Sequence, residues 1–259
     1  MATLAERAAL LRQLHAGPRM LVLPNAWDAA SARAFAAAGF AAIATTSGGV
    51  AASIGYKDHE DAPADEMFAA AARITRAVEI PVTVDLEAGY QLPPAEIAER
   101  AIAASAAGCN LEDTDHHGGG GLVNAEQHAE RLAAFKAAAR SRGVDLVLNA
   151  RVDVFIQRRG TLEEQLAEGI RRGKLYRAAG ADCLYPILLS DEPTIAKFVE
   201  AVGCPVNINV RRGAAPLARL AALGVRRVSY ATSLYREVAT MVEGMAADLQ
   251  STIASELGG

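Results

Sequence analysis

The chain has little that could staple or anchor it. Its 259 residues hold three cysteines, Cys109, Cys183 and Cys204, scattered and without a CxxC pair, so a disulfide framework and a cysteine-rich zinc site are both excluded. That usage suits a reducing compartment, and a cytoplasmic location is expected. A basic surplus is also missing. Lys and Arg number 26 against 30 Asp and Glu, a formal net charge of -4, which argues against nucleic acid and anionic membranes as partners. No apolar run approaches the roughly 18 residues of a spanning helix. Residues Met1 to Gly17 are interrupted by Glu6, Arg7 and Arg12, so they read as a leading amphipathic helix rather than a signal peptide. What is present in quantity is hydrophobic residue, 51% and largely alanine, enough to build the core of one soluble domain over residues 1–259. A small molecule is the expected partner.

Repetition gives the fold. A helix ending in Ala-Gly or Leu-Gly and followed by an apolar run recurs at Ala38-Gly39-Phe40, Ala107-Gly108-Cys109, Ala179-Gly180-Ala181 and Leu223-Gly224-Val225. Glycine just past a helix supplies a left-handed cap, and the short run after it reads as a buried strand. In a second junction type, at Pro81 and Pro205, proline stands at a strand entrance, where its missing N–H is tolerated. With the runs Met20 to Leu23 and Val144 to Leu148, strands are expected near 20–24, 41–46, 81–85, 108–112, 144–149, 181–185, 204–209 and 226–230. Between them, Pro63 to Val78, Pro94 to Ala107, Ala125 to Arg142 and Leu162 to Ala179 carry apolar residues at helical spacing. Alternation of this kind implies parallel strands covered on both faces, and near-equal units favour a closed (β/α)8 TIM barrel over an open sheet. Ser233 to Leu257 exceeds what a barrel needs, and reads as a closing helix or as a contact with a neighbouring subunit.

In such barrels chemistry gathers where strands end. Strand three ends in Asp85-Leu86-Glu87-Ala88-Gly89-Tyr90. In extended chain, Asp85 and Glu87 would point the same way. Strand four ends in Glu112-Asp113, beside them. Crowded carboxylates raise one another's pKa unless a hard cation joins them, so Asp85, Glu87 and Glu112 are candidate ligands for magnesium, with manganese possible. Ion pairing with rim lysines or arginines is the other reading. Arg151, at the end of strand five, can clamp a carboxylate bidentately or pair with Asp153 or Glu112. The turn Ser47-Gly48-Gly49 could offer backbone N–H groups to an anion, although ordinary turns look the same.

Taken together these pieces resemble the isocitrate lyase and phosphoenolpyruvate mutase superfamily, over most of the chain. The matching segments are Pro24-Asn25-Ala26-Trp27-Asp28-Ala29-Ala30-Ser31-Ala32, Thr46-Ser47-Gly48-Gly49-Val50, Asp58, Asp85-Leu86-Glu87-Ala88-Gly89-Tyr90, Leu111-Glu112-Asp113 and Asn149-Ala150-Arg151-Val152-Asp153. Glu87 stands where the family usually has aspartate. The resemblance implies a magnesium site with Asp85 as direct ligand and Asp58, Glu87 and Glu112 acting directly or through water. It also implies that Ser47, Gly48, Gly49 and Arg151 hold a substrate carboxylate, with Trp27 walling the pocket or belonging to the core. The chemistry implied is an enolate of a small 2-oxo or 2-hydroxy carboxylic acid, with a carbon–carbon or carbon–phosphorus bond made or broken at C3. A homotetramer with an exchanged C-terminal helix is implied as well.

The loop after strand four departs from the lyases of this family. They carry Lys-Arg-Cys-Gly-His or Lys-Lys-Cys-Gly-His there, whereas this chain has Thr114-Asp115-His116-His117-Gly118-Gly119-Gly120-Gly121-Leu122-Val123-Asn124. Without the cysteine, cleavage of isocitrate or methylisocitrate is not expected. The glycine run reads as a mobile lid or as a disordered loop, and His116 or His117 could replace the missing acid, since imidazole titrates near neutrality. Asn124 is a further candidate for substrate contact. A carbon–carbon lyase or decarboxylase releasing pyruvate or a similar acid is placed first, and phosphonate chemistry second, because the loop has no lysine to carry extra charge. An inactive barrel serving as a binding protein would show its acids ion-paired. A phosphate-binding isomerase is disfavoured, since Val210-Arg211-Arg212-Gly213 and Ser229-Tyr230-Ala231-Thr232-Ser233 hold a single glycine.

Overall fold

Short buried runs of Val, Ile, Leu and Ala become parallel strands because helices cover them on the outside. The computed structural model describes residues 2–211 and 214–257. Strands β2 (Asn25–Ala26), β3 (Ile43–Thr45), β4 (Val82–Asp85), β5 (Gly108–Glu112), β6 (Val147–Val152) and β7 (Cys183–Pro186) form one sheet in chain order, every pairing parallel. Strands β1 (Leu21–Leu23), β9 (Arg227–Ser229) and β8 (Asn207–Asn209) form a second, also parallel. Two seams join the sheets. β1 falls within the expected strand 20–24 and β2 continues beyond it, the two separated at Pro24, whose carbonyl accepts the Ala44 N–H at 3.0 Å. On the other side, Leu184 bridges Val206 in parallel and donates to the Pro205 carbonyl at 3.0 Å. The strands therefore run round a ring, the (β/α)8 barrel expected from the repeats.

All of the expected strand regions carry strands, and one is displaced. The fifth starts at Val147 rather than Val144, because Gly143 takes φ 78° and the Val144 N–H turns back to the Ala139 carbonyl, closing the preceding helix α6 (Ala125–Ser141). The strand correspondingly runs on to Val152, and Arg151 lies within it. In the turn after β8, Arg212 and Gly213 lie outside the described residues.

Helix α1 (Leu4–Ala16) is started by Thr3, whose hydroxyl accepts the Glu6 N–H while Glu6 reaches back to the Thr3 N–H. It plugs the N-terminal end of the barrel. Leu11 and Leu14 pack on Leu21, Leu23, Ala42, Ala44, Ala107 and Val147, and Arg12 ties the helix to Asp182 at 2.9 Å. Helices α4 (Ala64–Arg76), α5 (Pro94–Ala103), α6 and α8 (Leu162–Ala178) bury their apolar faces against the ring, with Ile74, Ile97, Leu132, Phe135 and Tyr176 sealed from water. Each large apolar side chain so placed contributes about 1.5–3 kcal/mol. Helix α11 (Ser233–Leu257) is different. None of its 25 residues is buried, and Val238, Met241, Val242, Met245, Leu249, Ile253 and Leu257 recur at three- and four-residue intervals along one uncovered face. No helix among the described residues is long and apolar enough to cross a membrane.

Two histidines of the scaffold are held neutral. Burial, then Arg227, pulls His15 down to about 4, and burial, then Arg131, pulls His128 down to about 3, each from 6.5. Between those values and 6.5 the unfolded chain binds protons that the folded chain refuses, so this stabilisation is complete above pH 6.5 and is lost as pH falls. Replacing His128 by Gln should flatten the slope of unfolding free energy between pH 6 and 4 by up to about 1.4 kcal/mol per pH unit. Denaturant titrations of both proteins across that range check it, and parallel slopes would refute it.

Candidate active site

The C-terminal ends of the strands surround a cavity of about 110 Å³, lined by Asn25, Thr46, Ser47, Asp58, His59, Asp85, Asn110, Arg151, Ile156, Tyr185, Ile187, Ser229, Ala231 and Thr232. A wider chamber of about 310 Å³ shares His59, Arg151 and Ile156 with it and is roofed by Thr114, His116, Gly120 and Gln157. With α1 plugging the opposite end, this is the open end of the barrel.

Asp85 ends β4. Its N–H donates to Thr45 Oγ1 at 2.8 Å, and its Oδ2 accepts the Ser47 N–H at 3.3 Å. Its Oδ1 is buried with no hydrogen-bond partner. A buried polar atom left so costs about 1–3 kcal/mol, and more when charged. Asp58 comes to the same cavity from the loop after α3 (Ser47–Ser53), made possible by Gly48: a Cβ there would lie 2.6 Å from Asp58 Oδ2. Gly49 has the same requirement, since a Cβ would meet Thr46 Cγ2 at 2.6 Å. Of the three-residue turn, Ser47 alone lines the cavity, while the glycines allow close approach behind it.

Glu87 corrects the alternation argument. The strand ends at Asp85 and Glu87 takes φ 49°, so the two carboxylates do not continue one extended face. Both Glu87 oxygens are engaged, Oε2 by the Glu60 N–H at 2.7 Å and Oε1 by the Tyr90 hydroxyl at 3.1 Å. Burial, then Asp85, Asp58 and Glu112, pushes its pKa up to about 8. Glu112 is raised too, by burial against the opposing pull of Arg151. No three acidic, imidazole or thiol groups among the described residues are already arranged to hold a metal directly. The donor set fits a divalent ion in another way. Asp85, with its Oδ1 unpartnered, and Asp58 line the cavity and would hold such an ion, whereas Glu87 and Glu112 do not line it and are engaged by Glu60, Tyr90, His116 and Arg151.

Arg151 takes the ion-pairing role foreseen for it, with both Asp153 and Glu112. Its Nε and Nη2 bind Asp153 Oδ1 and Oδ2 at 2.7 and 2.8 Å, and Nη1 lies 2.5 Å from Glu112 Oε2, a charge contact whose N–H is not aligned as a hydrogen bond. It still lines both chambers. Burial pushes Asp153 up, but Arg151, the Thr114 hydroxyl and His116 together outweigh it and hold the carboxyl below its usual value. Behind them Asp113 accepts the Asp153 N–H, Arg172 and the Tyr176 hydroxyl, fixing the arginine's support.

The lid is folded. Thr114 bridges Leu122, the Asp115 and Gly121 backbones are joined at 2.8 Å, and Gln157 holds the Gly120 carbonyl at 2.7 Å. Two histidine–carboxylate pairs latch it: His116 Nε2 to Glu112 Oε1 at 2.5 Å, and His117 Nε2 to Glu60 Oε2 at 2.8 Å. His116 faces the chamber, whereas the His117 side chain is 43% exposed and lines neither. Two expected contacts are not made. Trp27 packs on Phe35 and Tyr235, with ring centroids 6.5 and 5.6 Å away, behind the Gly49 turn rather than in the cavity. Asn124 is an exposed N-cap of α6, accepting the Gln127 N–H at 2.9 Å.

The sequence reading missed His59, Asn25, Asn110, Tyr185 and Ser229 among the lining residues. Asn110 was accessible by alternation, two residues before Glu112. His59 takes φ 75° and its ring lies 5.3 Å from that of His116. Nothing in its spacing marked it beyond its place beside Asp58.

The chain is similar to known proteins over most of its length. The chain is 30% identical over 252 residues to the 2-methylisocitrate lyase of Bacillus subtilis, covering 93% of this chain and 80% of that one. It is 30% identical over 251 residues to the 2,3-dimethylmalate lyase of Eubacterium barkeri, covering 91% and 84%. A crystal structure from Burkholderia cenocepacia, with a provisional phosphonomutase assignment, superposes with a TM-score of 0.89 at 38% identity over 95% of this chain and 99% of that one. The phosphoenolpyruvate phosphomutase family matches residues 11–250, and with it the chain belongs to the phosphoenolpyruvate mutase and isocitrate lyase superfamily.

Proposed function

We propose that this protein is a magnesium-dependent enzyme, with manganese able to substitute, that cleaves a carbon–carbon bond of a small 2-oxo or 2-hydroxy dicarboxylic acid and releases pyruvate or a similar 2-oxo acid. The observation that carries it is the buried, unpartnered Oδ1 of Asp85 at a cavity of about 110 Å³. Relatives named as lyases, one of them for a substituted malate, support the reaction class. Asp58 and Asp85 take part in none of the ion pairs among the described residues, which argues against an inactive barrel with neutralised acids. Among the described residues Arg151 is the sole arginine or lysine lining the cavity, which favours a carboxylate over a phosphonate of higher charge.

Asp85 would hold the divalent ion, which would supply Lewis-acid charge to the oxygen that becomes anionic as the bond breaks. The chain's own residues do the rest. Asp153 holds the Arg151 guanidinium rigid, so that its remaining N–H groups meet a substrate carboxylate without reorganisation. The Asn25, Ser47 and Asn110 side chains fix the substrate's other oxygens. The lid excludes water. His116, which meets Glu112 through Nε2, is placed to give a proton to the carbon released at C3, the role left vacant by the absent cysteine.

The exposed face of α11 has the length and spacing to pack against a second copy, and we propose a homotetramer built through it.

Asp85→Asn should lower turnover at least about 100-fold, and a chelator should have the same effect on the wild type. Screening oxaloacetate, substituted malates, methylisocitrate and phosphonopyruvate for pyruvate, glyoxylate or phosphate release measures it. Turnover indifferent to both would overturn the metal reading. His116→Gln should reduce kcat by roughly 10²-fold or more with little change in manganese affinity. Unaltered kinetics would make the histidine a latch alone. Light scattering should give four chains per particle, and Met241→Glu with Met245→Glu should give a smaller one. A wild-type monomer would reject the assembly.

A further inference from the structure

Arg227 is the largest fully buried side chain, 1% exposed, and it sits on β9 two residues before Ser229, which lines the cavity. Residues two apart in a strand share a face. Its side chain therefore points into the barrel one layer, roughly 7 Å, below the cavity floor. Barrels are usually filled at this depth by branched apolar residues. Here Asn110 contacts it, Asn207 stands opposite it in register, and Asn149 donates to Asn110, with Asn149 Oδ1 and Asn207 Oδ1 left unpartnered.

The guanidinium is poorly held. Nη1 is 3.4 Å from His15 Nε2, Nη2 is 3.4 Å from Asn110 Oδ1, and Nε has no partner. His15 cannot neutralise it, because its Nδ1–H is committed to the Leu11 carbonyl at 2.7 Å and the ring is uncharged. The thiols of Cys109 and Cys183 and the phenol of Tyr185 are pushed up by burial and stay protonated. Arg227 takes part in no ion pair among the described residues, and the carboxylate that acts on it from a distance is Asp85. An arginine cannot shed its charge as a lysine would. A buried, uncompensated cation lowers stability, so its presence one layer beneath the cavity calls for another cause.

We propose that Arg227 is a positioning residue, a permanent positive charge under the cavity floor that draws an anionic substrate onto the site without touching it. The inference rests on the function proposed above, a dianionic acid held over a divalent ion. Its sign is diagnostic. A fixed cation attracts the anion and repels the metal, so removing it must move the two affinities in opposite directions. A residue that merely shapes the barrel would move them together.

The test uses Arg227→Met and Arg227→Lys in the full chain, with Mn²⁺ alone and with oxalate at saturating Mn²⁺ as probes, both read by calorimetry. Arg227→Met should bind oxalate roughly tenfold more weakly, the order expected of a unit charge at this distance. It should bind Mn²⁺ more tightly, and the metal-free variant should melt no lower than the wild type. Arg227→Lys, whose buried ammonium can give up its proton, should shift both affinities in the same directions as Arg227→Met. Weakening of both ligands, of neither, or failure of Arg227→Met to fold would make the residue structural and overturn the proposal while leaving the function intact. A wild type that binds neither Mn²⁺ nor oxalate would remove the functional reading, and this inference with it.

Discussion

Negative charge gathered at one end of a closed barrel is the constraint around which this molecule is arranged. Parallel strands all deliver their C-terminal ends to the same rim, so Asp85, Glu112 and Asp153 arrive as neighbours, and loops add Asp58, Glu60 and Glu87. Left alone these groups would repel. The structure answers with Arg151 set between Glu112 and Asp153, with backbone N–H groups given to Glu87 and Asp85, and with histidines on Glu60 and Glu112. The residual imbalance falls on Asp85, whose Oδ1 is left buried and unpartnered.

The scaffold was legible because its signals are local and repeated. Glycine caps and prolines at strand entrances follow from φ restrictions that act within a few residues, so each junction announced itself wherever it fell. The shift of β6 by three residues shows the limit. Val144 has the composition of a strand residue, but its N–H is needed to finish α6, a competition that composition does not reveal.

In the site, the residues at strand ends were legible and those set by backbone turns were not. Asp85, Glu112 and Arg151 follow from strand register. Glu87 does not, because a left-handed residue at φ 49° redirects its carboxylate toward Glu60 and Tyr90. Trp27 and Asn124 were read by proximity in sequence. One went to an aromatic cluster and the other to a helix cap, roles settled by packing and by local N–H demand.

The latching of the glycine-rich lid has an evolutionary consequence. Its closure relies on main-chain atoms of Asp115, Gly120 and Gly121, on Gln157 and on two imidazole–carboxylate contacts at its base. Little of that depends on which side chains hang over the chamber between those points. Substitutions there can reshape what the chamber admits without unfastening the cover, so selectivity can drift by single steps while the machinery beneath is inherited unaltered.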